Sequence, residues 1–334
     1  MYIYVIIKND NNMSIRAVNL DGMFLPTPLS EIEFKIVKFK GGELHPKLNM
    51  NIDYTKIERV VITNRFNDAE DIMEVLVVKD ALERLGIKHF DLIMPYIPYA
   101  RQDRFENAGE SFTLKVFANL INTAKFDTIH VFDSHSDVAP ALIDNCVNKK
   151  NHAYVMSSLI DIIIDNPETI IPYTNSHPTS IASIKNTIRS GHYALIAPDS
   201  GANKKINKLH DYINESTIDP ILRDMGLFTL PIIKCDKRRN TDDGSLGGFE
   251  VMSADLEGRI CIIVDDICSR GGTFMGLAKE LKAKNAGDIY LVVSHYENCA
   301  NENELNDAGI KCVYKTNSMN DHSSDFIKNT KLEF

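Results

Sequence analysis

Short runs of apolar residues alternate with longer amphipathic segments along most of the chain. Short apolar runs bounded by polar residues are typical of buried strands, and longer segments with apolar residues at helical spacing are typical of helices. The predicted strands are residues 59–63, 89–94, 128–132, 194–197, 230–233, 260–264 and 289–294. Residues 68–85 and 111–123 are predicted helices between them. This alternation predicts an α/β fold with mostly parallel sheets flanked by helices.

The length of the chain, 334 residues, is sufficient for two domains that each have a hydrophobic core. The polar stretch NKKNHA interrupts the pattern, so we expect domains at 1–152 and 153–319 and a tail of unknown role at 320–334. The first residues, MYIYVIIKND, are apolar but short and lack a basic start, so we expect a first strand and not a signal peptide. Residues 236–248 have no periodicity and are predicted to form a mobile, lid-like loop.

Composition narrows the class of protein. Apolar residues make up 44% and charged residues 25% of the chain, as in ordinary globular proteins. No apolar run reaches the roughly 18 residues of a membrane span, and the net charge of −9 argues against a nucleic-acid partner. The six cysteines show no CxxC pairing, which favours reduced thiols and a cytoplasmic location.

Residues 259–274, RICIIVDDICSRGGTF, contain the most informative pattern. A predicted strand leads to Asp265 and Asp266, a glycine turn follows, and a helix begins after the turn. Carboxylates can hold ribose hydroxyls or a metal ion, and a glycine turn at a helix N-terminus can surround a phosphate with N–H groups. The pattern therefore predicts a site for a phosphorylated sugar.

Residues 95–104, PYIPYARQDR, directly follow another predicted strand. Two prolines stiffen the segment, and Arg101, Gln102 and Arg104 lie close together. Arginines suit phosphate oxygens, and the glutamine amide suits the hydrogen-bonding edge of a base. Taken alone, the segment is equally consistent with a proline-rich turn that carries solvated charges.

Three shorter segments add further charged residues. FDSHSD places His135 between acids, APDSGA places Asp199 after a strand, and DKRR supplies Lys237 and Arg239. These residues suit a metal that bridges phosphates and basic groups that neutralise a transferring phosphoryl group. In isolation, a structural histidine and a solvated charge run are the favoured interpretations of His135 and DKRR, and a helix cap is an equally good interpretation of Asp199.

Together, the segments resemble the ribose-phosphate pyrophosphokinases, or phosphoribosyl pyrophosphate (PRPP) synthetases, over residues 39–316. The resemblance implies two phosphoribosyltransferase-like domains and transfer of the β,γ-diphosphoryl group of ATP to the anomeric hydroxyl of a 5-phosphorylated ribose, with release of AMP. It also implies Mg²⁺ as the cofactor and a homo-oligomer.

The family's residue roles transfer to matching positions of this chain. The resemblance implies ATP-binding roles for Phe39, Glu43, Arg101, Gln102, Arg104 and His135, of which Phe39 and Glu43 would reach a neighbouring subunit's adenine. It implies magnesium contacts for His135 and Asp199 and catalytic roles for Lys237 and Arg239. It implies sugar-phosphate contacts for Asp265, Asp266, Ser269, Arg270, Gly271, Gly272 and Thr273.

The chain departs from the family pattern in the sugar-phosphate loop, where Ser269 and Arg270 replace the usual acid and threonine. An added guanidinium makes this loop more electropositive and suits a second phosphate. ADP-ribose has such a phosphate, and a phage-encoded branch of the family makes ADP-ribose 1-diphosphate, which then accepts nicotinamide to rebuild NAD. ADP-ribose and ribose 5-phosphate both stay open as acceptors; a phage protein would act in the host cytoplasm. Smaller departures are Gly41, where the family often has an acid, and DSH in place of DLH.

Two other classes of function remain open. A non-catalytic regulatory subunit would keep the fold, but such proteins tend to lose the basic loop that Lys237 and Arg239 retain here. A phosphoribosyltransferase shares the VDD…GGT pattern, but it needs no ATP site of the PYIPYARQDR kind.

Overall fold

The computed structural model describes residues 14–105, 107–166, 191–217, 230–239 and 246–334, without the side chains of residues 214–217, 238, 239, 246 and 247. The chain forms two compact units. The first comprises residues 1–150, 317–321 and 331–334, and the second comprises residues 151–316 and 322–330. The final residues of the chain are therefore divided between the two units.

The first unit is built on a five-stranded parallel sheet. Its strands, in spatial order, are β1 (Ile15–Asn19), β4 (Arg59–Thr63), β5 (His89–Ile93), β6 (Thr128–Phe132) and β7 (Cys146–Lys149). A separate antiparallel hairpin consists of β2 (Phe34–Lys38) and β3 (Leu44–Leu48). The helices are α1 (Glu70–Arg84), α2 (Thr113–Asn122) and α3 (Val138–Leu142), with a short 3-10 helix at Tyr54–Lys56.

The core of the first unit follows from the apolar patterns of strand and helix. Val60 and Ile62 of β4 and Leu92 of β5 are fully buried, and they share one core with Val78 and Leu82 of α1. Burial of each such side chain contributes about 1.5–3 kcal/mol, and β-branched residues pack well on a pleated surface. This core holds the strands in position, and polar loops begin at their carboxyl ends.

The last residues of the chain add a polar and aromatic contact to the first unit. Phe334 is buried, its backbone N–H donates to Pro26 O at 2.8 Å, and the Lys149 ammonium lies 5.2 Å from its ring centroid. The buried Arg65 guanidinium donates to the carboxylates of Asp21 and Asp321. Residues 317–321 and 331–334 are therefore structural parts of this unit.

The second unit is built on a seven-stranded sheet. Its strands, in spatial order, are β10 (Leu246–Val251), β9 (Ile232–Arg239), β8 (Tyr193–Ala197), β11 (Ile260–Cys268), β12 (Ile289–Tyr296), β13 (Ile310–Thr316) and β14 (Ile327–Thr330). Its helices are α4 (His152–Ile164), α5 (Ala202–Thr217), α6 (Gly272–Ala283) and α7 (Glu302–Asp307). All strand pairs are parallel except β9 with β10.

The predicted α/β class with mostly parallel sheets is confirmed, but two local predictions are wrong. Asp265 and Asp266 lie inside β11, which continues to Cys268, and not after its end. The reason is that β12 pairs with β11 up to Cys268, whereas the pairing of β8 with β11 ends at Ile263.

The predicted irregular loop at 236–248 is also partly wrong. Asp236 to Arg239 belong to β9, and residues 246–248 belong to β10, which pairs with β9 in antiparallel fashion. Cys235 and Phe249 are buried, and this burial accounts for the order of a segment whose polar sequence indicated a loop. Residues 240–245 and the predicted N-terminal strand lie outside the described residues.

The helices of the described residues show no candidate for a membrane span, because none combines the necessary length with sufficient apolar character.

Candidate active site

Two polar loops of the first unit lie side by side, because they follow neighbouring parallel strands. Backbone pairing continues past the strand ends, with Met94 N–H donating to His130 O and Phe132 N–H donating to Pro95 O, both at 2.9 Å. Residues 95–104 and 133–137 therefore leave the sheet at the same edge. Parallel strands bring their carboxyl ends to one edge, where ligands of α/β proteins bind.

Asp103 joins these two loops. Its side chain is buried, with 6% of its surface exposed, and it accepts hydrogen bonds from Arg104 Nε at 2.9 Å and Ser136 Oγ at 2.7 Å. Burial alone would raise the pKa of Asp103, but the hydrogen bonds from Arg104 and Ser136 and the nearby His135 lower it overall. The carboxylate therefore stays ionised and holds the arginine-bearing loop against the His135 loop.

The predicted ATP-side residues are presented to solvent around this carboxylate. Arg101, Gln102 and Arg104 are exposed, and His135 is half-buried. The Gln102 carbonyl also accepts from Leu114 N–H at 3.3 Å at the start of α2, which anchors the loop. Two guanidinium groups, an amide and an imidazole can bind a polyphosphate and a base edge.

The backbone of both loops includes a residue in the left-handed region. Tyr99 has φ of 62° and Asp133 has φ of 40°, and neither is a glycine. Such conformations are uncommon for residues with a side chain and are frequent at functional sites. Surrounding contacts hold them: Gln102 N–H donates to Tyr99 O at 2.9 Å, and Asp133 N–H donates to Lys149 O at 2.8 Å.

Phe39 and Glu43 lie in the turn of the β2–β3 hairpin. Phe39 N–H donates to Glu43 O at 2.9 Å, and half of the Phe39 surface, 51%, is exposed. A Cβ atom at Gly41 would lie 3.1 Å from Glu43 Oε2. The absence of an acid at position 41 therefore leaves room for the Glu43 carboxylate beside the turn and avoids a second negative charge against it.

Three carboxylates lie near one another in the second unit. Asp199 follows β8, and Asp265 and Asp266 belong to the part of β11 that extends beyond β8. The carboxylate of Asp199 raises the pKa of Asp265, as expected for neighbouring negative charges. The predicted sugar and metal residues of this unit are therefore brought to one edge of the sheet.

Lys237 reaches this edge from the other neighbour of β8. Ala197 is in register with Lys234 of β9, so β9 continues past the end of β8 and carries Lys237 alongside Asp199. Lys237 Nζ lies 2.7 Å from Asp199 Oδ2, and Asp199 Oδ1 accepts from Ala202 N–H at 3.0 Å. Burial alone would raise the pKa of Asp199, but the hydrogen bond from Lys237 and that from Ala202 lower it overall.

Asp265 has the opposite electrostatic environment. Removal from water raises its pKa well above the ordinary value, and the negative charge of Asp266 and then that of Asp199 raise it further. The Asp266 N–H donates to Asp265 Oδ1 at 2.9 Å, but this bond does not offset the other effects. The edge thus brings carboxyl groups with opposite pKa shifts close together, as is frequent at functional sites.

The turn between β11 and α6 requires glycine at one position. Gly271 has φ of 77°, and a Cβ atom there would lie 2.9 Å from Leu305 Cδ2 and 3.3 Å from Ala300 Cβ. Gly272 then begins α6, with open space beside it, and Thr273 is half-buried. A turn of this kind at the N-terminus of a 12-residue helix can bind a phosphate through N–H groups.

Two residues of this turn carry the departure from the family pattern. Arg270 is exposed and Ser269 is half-buried, so the guanidinium is presented beside the turn. The other predicted basic residue, Arg239, is the last residue of β9, and its side chain lies outside the described residues. The sequence patterns did not indicate that Asp103 and Ser136 join the two loops. The one available signal was the position of Asp103 between Gln102 and Arg104.

Replacing Asp103 with Asn should lower the free energy of unfolding by about 1–3 kcal/mol at neutral pH, because charged hydrogen bonds to Arg104 and Ser136 are lost. The pKa of Asp103 is lowered by folding, so its stabilisation is present above the unfolded-state pKa and is lost as the pH falls through the folded-state pKa. Denaturant titrations across this range should show the wild type and variant converging at low pH. Asp80→Asn, which alters the exposed pair with Arg84, is the control and should have a smaller effect; an equal effect would contradict the account.

Replacing Asp265 with Asn should raise the melting temperature at neutral pH. Folding raises the pKa of Asp265, so ionisation of this carboxyl opposes folding above the folded-state pKa, and this cost disappears below the unfolded-state value of about 3.9. Each kcal/mol gained corresponds to roughly 2–4 °C for a unit of this size. Thermal unfolding at neutral and acidic pH tests this prediction; a variant that melts lower than the wild type at neutral pH would refute it.

Comparisons with known proteins are consistent with this geometry. Two protein-family models match the chain: the N-terminal domain of ribose phosphate pyrophosphokinase over residues 24–124, and the phosphoribosyl transferase domain over residues 180–323. Together they match more than half of the chain and fall on the two structural units in turn.

Individual relatives have the same family name. A ribose-phosphate pyrophosphokinase of Bradyrhizobium diazoefficiens is 26% identical over 292 residues, which are 87% of this chain and 77% of that protein. One of Listeria ivanovii is 28% identical over 267 residues, which are 78% and 69% of the two chains. The crystal structure of a phosphoribosylpyrophosphate synthetase from Mycobacterium smegmatis superposes with a TM-score of 0.68 at 19% identity, covering 96% of this chain and 94% of that one, which shows a shared fold.

These matches decide between the classes of function left open by the sequence. The fold consists of two phosphoribosyltransferase-like α/β units, and the match to a pyrophosphokinase N-terminal domain covers the PYIPYARQDR loop. The chain is a diphosphotransferase that belongs to the ribose-phosphate pyrophosphokinase family.

Proposed function

We propose that this pyrophosphokinase uses ADP-ribose as its acceptor and forms ADP-ribose 1-diphosphate, with AMP as the other product. The observation that carries the proposal is Arg270, exposed on the turn where the family usually has a threonine, next to Ser269 in place of an acid. Loss of a carboxylate and gain of a guanidinium favour a ligand with a second phosphate beyond the 5-phosphate. The product would then accept nicotinamide and rebuild NAD.

Ribose 5-phosphate is the second candidate acceptor. The relatives are named ribose-phosphate pyrophosphokinases, and the glycine turn with the α6 N-terminus suits a single 5-phosphate equally well. In that case Arg270 would strengthen binding of the same phosphate. The two acceptors differ only in what is attached beyond that phosphate, so Arg270 is the residue to test.

The proposed reaction begins with attack of the anomeric hydroxyl on the β-phosphorus of ATP. A bond forms from the sugar oxygen to this phosphorus, the bond from the phosphorus to the AMP oxygen breaks, and the hydroxyl proton is released. Asp265 and Asp266 would hold the ribose hydroxyls at the edge where β11 extends beyond β8. Arg101, Gln102 and Arg104 would bind ATP in the first unit.

Lys237 would stabilise the transferring diphosphoryl group together with Arg239. Its ammonium is paired with Asp199 in this structure, so it is already placed at the edge that bears the acceptor carboxylates. Charge neutralisation is the main source of catalysis in phosphoryl transfer. We propose that Lys237 moves from Asp199 to the phosphate oxygens when substrates bind.

Mg²⁺ fits the carboxylate donors at the edge of the second sheet. Mg²⁺ prefers carboxylate oxygens and usually binds through one or two of them together with substrate phosphates and water. Asp199 and His135 are the proposed contacts, and the ion would neutralise phosphate charge.

We also propose a homo-oligomer in which Phe39 and Glu43 contact the adenine bound to another subunit. Phe39 is half exposed at the tip of the β2–β3 hairpin, where its aromatic ring can stack on a base. Glu43 lies in the same turn and can accept a hydrogen bond from the adenine amino group.

AMP release in the presence of ATP and Mg²⁺ tests the acceptor. The wild type should release AMP faster with ADP-ribose than with ribose 5-phosphate, and Arg270→Thr should lower kcat/KM for ADP-ribose relative to ribose 5-phosphate by about 10- to 100-fold. Lys279→Thr, which removes an exposed charge further along α6, is the matched control. AMP release with ribose 5-phosphate but not with ADP-ribose would exclude ADP-ribose as the acceptor.

Replacing Lys237 with Ala should lower kcat by about 100- to 1,000-fold, with a smaller change in the KM for ATP, because its charge acts mainly on the transition state. Lys234→Ala changes an exposed lysine of the same strand and should leave kcat near the wild-type value. Steady-state kinetics with saturating acceptor separates kcat from KM. An unaltered kcat in Lys237→Ala would remove this residue from the catalytic step.

A further inference from the structure

The segment that follows β12, residues 297–301, lies directly beside the sugar-phosphate turn, residues 269–273. β11 and β12 are parallel, and their register pairs Cys268 with Tyr296. Glu297 N–H donates to Cys268 O at 3.0 Å and extends this pairing past the end of β12. Neighbouring parallel strands are about 4.8 Å apart, so residues 269–273 and 297–301 leave the sheet side by side.

Close packing confirms that the two segments touch. The space beside Gly271 is filled by Ala300 and Leu305, since a Cβ atom at Gly271 would lie 3.3 Å and 2.9 Å from their nearest carbon atoms. Tyr296 is buried beneath this contact, and its hydroxyl lies 3.5 Å from Ala300 O. Residues 297–301 therefore pack directly against the sugar-phosphate turn.

Asn298 and Arg270 occupy equivalent positions on these two segments. Each lies two residues beyond the registered pair of Cys268 and Tyr296, and each is exposed. Neither side chain makes a hydrogen bond to any other described residue. By contrast, the Asn301 amide oxygen accepts from Asn303 N–H at 2.9 Å at the start of α7. An asparagine amide offers two donors and one acceptor oxygen to a ligand.

The charges around Asn298 limit what this surface can bind. Glu297 and Glu302 are acidic neighbours, and Glu302 accepts from His322 at 2.9 Å and from Ser324 at 2.8 Å. Residues 297–302 include no basic side chain to bind a further phosphate, whereas an uncharged sugar or base needs none. The surface therefore changes from a cationic group at Arg270 to neutral and acidic groups at residues 297–302. A ligand that consists of a phosphate followed by an uncharged nucleoside matches this order.

We propose that Asn298 belongs to a subsite for the nucleoside of a diphosphate-linked acceptor. The glycine turn would hold the phosphate on the reacting ribose, Arg270 the second phosphate, and Asn298 a hydroxyl or ring nitrogen of the nucleoside. This inference rests on the proposed function, because ribose 5-phosphate ends before it reaches Asn298. Asn298 is thus a specificity-determining residue that discriminates between the two acceptors.

The test is an Asn298→Gly variant in the full chain. Asn298 has φ of 55°, and glycine adopts this conformation without strain, so the substitution removes the amide and retains the turn. The matched control is Asn285→Gly, at φ of 62° in the turn before β12 and so at the opposite edge of the sheet. Steady-state AMP release with ADP-ribose and with ribose 5-phosphate gives kcat/KM for each acceptor.

The ratio of kcat/KM for ADP-ribose to that for ribose 5-phosphate should fall about three- to tenfold in Asn298→Gly, the loss expected for one hydrogen bond. It should stay at the wild-type value in Asn285→Gly. An unchanged ratio in Asn298→Gly, with ADP-ribose still a good substrate of the wild type, would overturn the subsite and leave the proposed acceptor intact. A wild type that releases no AMP with ADP-ribose would overturn both.

Discussion

The parallel register of β8, β9, β11 and β12 is the constraint on which the cluster of Lys237, Asp199, Asp265 and Asp266 depends. β8 ends at Ala197, while its neighbours on both sides continue, so the longer strands project past it. This difference in length brings Lys237 to Asp199 and places Asp265 and Asp266 beside them. A shift of the β8–β9 pairing by one residue would turn Lys237 to the other face of the sheet and away from Asp199.

The pKa of one carboxyl group is lowered in the first unit, and that of another is raised in the second unit. Asp103 of the first unit is buried but compensated by Arg104 and Ser136, so its negative charge stabilises the fold and fastens two loops together. Asp265 of the second unit is crowded by Asp266 and Asp199, and its ionised form is disfavoured. The first arrangement stabilises the fold, whereas the second disfavours the charged form of a carboxyl group, as is frequent at functional sites.

Much of the fold could be predicted because strand and helix patterns are local. The predicted strands at 59–63 and 128–132 have the bounds that the structure shows, and the predicted helix at 68–85 contains α1. The errors arise where a neighbouring strand decides the outcome. β11 extends to Cys268 because β12 pairs with it, and the polar DKRR sequence is a strand because β10 pairs with its backbone.

The candidate site was predictable by resemblance only in part, since its supporting contacts are distant in sequence. Asp103 and Ser136 are 33 residues apart, and no local pattern indicates their hydrogen bond. Asn298 lacks any motif; its interest comes from the register of β11 with β12. The family pattern indicated candidate substrate-binding residues, whereas the contacts that hold those residues in place became evident only in three dimensions.

The central claim is that the diphosphoryl group passes from ATP to the anomeric oxygen of an acceptor that extends beyond its 5-phosphate. Phosphorus NMR of the products formed from ATP, Mg²⁺ and ADP-ribose tests this claim most directly. The account predicts AMP together with a new diphosphate ester on the anomeric carbon of intact ADP-ribose. Recovery of unchanged ADP-ribose, under conditions in which ribose 5-phosphate yields its 1-diphosphate, would contradict it.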